Sequence, residues 1–133
     1  VATDANQAFF KFQTDATNSE AFTDFTLLHF VHSIGGTDYI SALPITVAAN
    51  TTYHLRIKID SDRKLSMFVD GIQYDITTTA GSTGGTAVEK GTTKSAAMTD
   101  DIDFIPYIGI EAGAAAAEAL DVHYQSMNRI IFE

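Results

Sequence analysis

The sequence predicts an all-β fold, a two-sheet antiparallel β-sandwich, and three observations carry that prediction. Tyr53, Leu55, Ile57 and Ile59 alternate with His54, Arg56, Lys58 and Asp60, the period-2 pattern of a half-buried strand. Asp70-Gly71 stands between two alternating apolar segments; Asp-Gly is a strong hairpin signal because a type I′ turn needs positive φ. Short apolar stretches separated by turn formers recur along the chain, about eight to ten of them, which is the rhythm of a sandwich. The length of 133 residues fits one domain, since roughly 100–200 residues per domain is usual. One domain over 1–133 is therefore expected.

The elements follow in order. Ala8–Gln13, with Phe9, Phe10 and Phe12, reads as a strand. Phe25–His32 reads as a second, apolar on both faces and hence central. Gly35-Gly36 marks a turn, and Asp38–Leu43 a short strand that stops at Pro44, which cannot donate to a ladder. Ala48–Thr52 is a connector. Residues 53–78 form a three-stranded antiparallel meander: the alternating run at 53–60, a turn at Asp60-Ser61-Asp62-Arg63, Leu65, Met67 and Val69 in alternation, then Ile72, Tyr74 and Ile76 after Asp70-Gly71.

Thr77–Thr99 is rich in Thr, Gly, Ser and Ala. It predicts a long surface loop, with a short ribbon near Thr86–Lys90; loops of this length are usually functional or mobile. Asp103–Glu111 and Leu120–Ser126 alternate again and predict two further strands. Glu111–Leu120 between them reads as a tight loop or one helical turn, because Gly113 interrupts the Ala run. Arg129–Phe132 is expected to close the sheet. The chain starts at Val1 rather than Met, so processing or truncation upstream is expected, and the chain is open to being part of a longer polypeptide.

Composition narrows the function classes. With 17 acidic and 8 basic side chains the formal charge is −9, which argues against nucleic acid, whose phosphates demand a Lys/Arg face. Zero Cys removes disulfide frameworks, Cys-ligated zinc and thiol nucleophiles. No apolar run approaches the roughly 18 residues of a membrane helix, so no membrane partner is expected. Hydrophobic residues at 45% and charged residues at 19% fit a folded globular chain.

The candidate chemistry is sparse. Glycoside cleavage needs two carboxyls roughly 5–10 Å apart, and Asp101 and Asp103, at a predicted strand start, have the i, i+2 spacing that puts two acids on one strand face. A solvated acidic turn is the plainer reading, since a working carboxyl is one perturbed by burial. Asp60 with Asp62, or Asp100 with Asp101 and Asp103, could offer oxygens to calcium, but the EF-hand pattern is absent and turn-forming Asp is the plainer reading. His29 and His32, three apart, point to opposite faces of a strand, and His54 and His123 fall on other strands. No metal and no cofactor is expected. Gly81-Ser82-Thr83-Gly84-Gly85 lacks the Lys and helix of a phosphate loop. Asn50-Thr51-Thr52 matches the glycosylation sequon. Tyr39, Tyr53, Tyr74, Tyr107 and Tyr124 could line a sugar platform, although strand tyrosines more often pack in a core or on a sheet face. No catalytic residue is expected.

Two stretches carry a family resemblance. Thr52-Tyr53-His54-Leu55-Arg56-Ile57-Lys58-Ile59-Asp60 followed by Leu65-Ser66-Met67-Phe68-Val69-Asp70-Gly71 resembles the hairpin of concanavalin A-like (laminin-G-like) jelly-roll domains. Ile105-Pro106-Tyr107-Ile108-Gly109-Ile110, Ala114–Ala117 and Leu120-Asp121-Val122-His123-Tyr124 resemble the closing strands of such domains in tailed-bacteriophage virion proteins. The resemblance spans residues 38–132 and lacks the carboxylate pair of the glycosidase relatives. It implies a jelly-roll sandwich and a non-enzymatic structural protein, a capsid decoration or fibre component on the virion exterior.

The implied partners are a major capsid or tail/fibre protein and further copies of the chain, with a trimer as the expected oligomer. Docking is expected through a sheet edge and the Thr77–Thr99 loop. Two alternatives remain: a carbohydrate-binding module that attaches to a surface glycan, and a small glycoside hydrolase or lyase built on Asp101 and Asp103.

Overall fold

In the computed structural model, residues 5–12, 25–100, 105–108 and 121–128 are described. By internal contacts the chain divides into two units, Val1–Ile102 and Asp103–Glu133.

The first unit is all-β, with no helix among the described residues. It holds seven strands: β1 Gln7–Lys11, β2 Leu27–Ile34, β3 Thr37–Thr46, β4 Leu55–Ile59, β5 Leu65–Val69, β6 Ile72–Tyr74 and β7 Gly81–Thr86. One sheet has the order β1-β2-β3-β7 and the other β4-β5-β6. β1, β2 and β3 pair antiparallel, as do β4, β5 and β6. The expected meander at 53–78 is therefore present, and β2 is central as its two apolar faces predict.

Two tight turns set the hairpin registers. Gly35 and Gly36 join Ile34 to Thr37 with φ of 57° and 82°, and Asp70 and Gly71 join Val69 to Ile72 with φ of 50° and 81°. Both are two-residue loops with positive φ at both positions, the arrangement whose twist matches paired strands.

Three expectations are corrected. Pro44 does not end β3, which runs on to Thr46. Leu27 pairs with Thr46 while His29 pairs with Ala42, so β3 carries extra residues in a bulge around Pro44. A bulge has no ladder bond for proline to break, which is why the strand continues. The stretch 77–99 is not a free surface loop either. Its residues 81–86 form β7, parallel to β3, and Glu89 and Ala97 bridge to Tyr74 and Lys64. Backbone pairing rather than apolar side chains builds that strand, so alternation could not reveal it. Finally, of the strands expected at 103–111 and 120–126, the described stretches 105–108 and 121–128 belong to no ladder and are exposed. A period-2 pattern becomes a strand only where a partner strand pairs with it. The remainder of those strands, the turn at 111–120 and the closing strand at 129–132 lie outside the described residues.

The two sheets of the first unit share one core. Leu28 and Phe30 from β2 and Leu43 from β3 meet Leu65, Met67 and Val69 from β5, Tyr74 from β6, and Ile76, Ala87 and Met98 from the segments that follow. The Phe10 ring meets Phe30 edge-on, centroids 5.2 Å apart. Fully burying a side chain such as Phe30 contributes about 2–3 kcal/mol. The other face of the first sheet carries a small cluster of Val31 and Ile40 with Phe9 and Phe25.

Candidate functional site

The acidic turns are occupied by the protein's own donors. After β4 the chain turns at Asp60, whose Oδ1 accepts from the N–H of Asp62 (3.0 Å) and of Lys64 (2.9 Å). Its Oδ2 accepts from Lys94 Nζ at 2.7 Å. The Lys94 hydrogen bond, followed by the backbone bond from Lys64, holds the Asp60 carboxyl below its ordinary value. A lysine thus stands where a calcium ion would be needed, and Asp62 contributes its N–H to the turn. Asp100 pairs with Arg63 at 2.7 Å, and Arg63 Nε also donates to the Met98 carbonyl at 3.1 Å. Asp101 and Asp103 lie outside the described residues. Among the described residues no three His, Asp or Glu side chains converge as a metal would require.

The histidines separate as their spacing predicts. His29 and His32 are both buried, on opposite faces of β2. His29 Nδ1 lies 3.0 Å from the Leu27 carbonyl. His32 is sandwiched on the core face between Phe30 (centroids 5.8 Å) and Tyr39 (4.7 Å), and neither ring nitrogen has a hydrogen-bond partner. Burial pushes its imidazole down to about 4. His54 and His123 are exposed. Gly81–Gly85 is strand rather than phosphate loop. Asn50 sits in an exposed turn with φ of 56°.

The tyrosines do not form one platform. Tyr39 covers His32, and Tyr74 is buried in the core. The Tyr53 hydroxyl donates to the Thr46 carbonyl and accepts from the Ala48 N–H. Within the second unit, Tyr107 and Tyr124 are 85% and 75% exposed.

A shallow groove lies where the 77–99 segment folds over β6, lined by Asp75, Thr77, Thr79, Val88 and Thr93. Its carboxylate is already committed: Asp75 Oδ1 accepts from the Thr93 N–H at 2.6 Å. That bond holds the Asp75 carboxyl below its ordinary value.

No family model, no curated protein and no solved structure matches this chain.

The surface feature that stands out instead is β4. No described residue pairs with its second edge. Leu55, Ile57 and Ile59 are 42%, 38% and 44% exposed, whereas the residues opposite them, Val69, Met67 and Leu65, are at most 2% exposed. These apolar side chains lie on the core face but beyond the cover that the other sheet provides. Arg56 and Lys58 project from the outer face, where the Arg56 guanidinium sits 5.3 Å from the Phe68 ring centroid. The alternation at 53–60 foretold this two-faced strand. Its edge position, and hence its exposure, depends on pairing that alternation does not encode.

Proposed function

We propose that this chain is a non-enzymatic structural protein of a bacteriophage particle, a capsid decoration or fibre component of concanavalin A-like jelly-roll type. It acts by docking a rigid sandwich on a capsid or tail protein and on copies of itself. The observation that carries this reading is the hairpin that bears the family resemblance. Residues 55–69 fold as β4 and β5 and lay Leu65, Met67 and Val69 over the facing sheet. A two-sheet core of this kind is a scaffold whose edges and loops are free to carry binding.

The test is the company that the chain keeps. Purified particles should contain it at fixed stoichiometry, and the isolated chain should rebind particles stripped of it. A chain that runs alone and never rebinds would overturn the reading.

A second reading, a carbohydrate-binding module for host attachment, is favoured by the exposed rings of Tyr107 and Tyr124, since aromatic faces stack on apolar sugar faces. Glycan-array binding that is lost on Tyr107→Ala and Tyr124→Ala substitution would support it; an array without hits would remove it.

A further inference from the structure

We draw no further inference here: the strongest candidate, the buried His32 ring stacked between Phe30 and Tyr39 on the core face of β2, carries only the acid sensitivity that its burial alone gives, and nothing among the described residues shows a ligand or a hinge for its protonation to act on.

Discussion

The His32 imidazole lies flat against the Tyr39 ring, centroids 4.7 Å apart and planes 12° from parallel. It is a fully buried polar ring held by stacking rather than by hydrogen bonds to its nitrogens.

This arrangement makes the fold acid-sensitive. Burial lowers the His32 value from 6.5 to about 4, so between those limits the unfolded chain binds the extra proton. The neutral ring's contribution is complete above pH 6.5 and is lost as pH falls towards 4. From the size of the shift, about 2–3 kcal/mol should be gone at pH 4.5. Urea unfolding at pH 7 and pH 4.5 measures this. His32→Phe keeps a stacked ring and should remove most of the difference; an unchanged pH dependence would contradict the assignment. The Asp60 and Asp75 carboxyls, held below their ordinary values, act in the same direction at lower pH.

A side chain at Gly91 should be costly. A Cβ there would overlap the Asp75 carboxylate, which must then give up the Thr93 N–H. Gly91→Ala should cost about 1–3 kcal/mol, the usual range for overpacking. In an Asp75→Ala background the same substitution should cost much less, because the obstructing group is gone. Equal costs in both backgrounds would show that the overlap is not the cause.

Ser95 ties the 77–99 segment to β5. The Leu65 N–H donates to Ser95 Oγ at 2.8 Å in a buried position, and the Ser95 N–H donates back to the Leu65 carbonyl at 3.1 Å. Ser95→Ala leaves the buried Leu65 N–H unpaired and should cost about 1–3 kcal/mol. Hydrogen exchange at Leu65 should accelerate with it. An unaltered exchange rate would mean that another acceptor takes over.

Gly71 is the position in the β5–β6 turn where a side chain meets backbone strain alone. Its φ is 81° and nothing stands near a Cβ built there. Gly71→Val should therefore cost about 1–2 kcal/mol through the left-handed conformation, and Gly71→Asn markedly less, since Asn visits that region more readily. Thermal unfolding of the two variants tests the ranking.

These residues also show how far the sequence reaches. Alternation from 53 to 76 and the Asp70-Gly71 turn foretell β4, β5 and β6 because side-chain period and turn chemistry are local properties. The opposite faces of His29 and His32 follow from the same period. Burial of His32, Ser95 and Met98 does not, since it depends on what other segments lay over them. Pro44 misleads for the same reason: a proline ends a paired strand but passes through a bulge, and the bulge is set by register with β2. The Gly- and Thr-rich β7 has no apolar pattern to read, because β3 recruits it through backbone groups. Asp60 and Asp62 are legible as a turn, while the lysine that occupies Asp60 comes from residue 94.

The parallel pairing of β7 with β3 bears on the order in which the chain assembles. β3 and β2 meet across a two-residue turn, and β4, β5 and β6 meet across short ones. These hairpins close small loops and can form early. β7 returns to β3 only after the chain has completed the whole meander, so its pairing must overcome the entropy of a much longer loop. Pairing between sequence-distant residues is the slow part of β-sheet folding. Among the described ladders, β3–β7 therefore closes the longest loop and carries the largest entropic cost of closure.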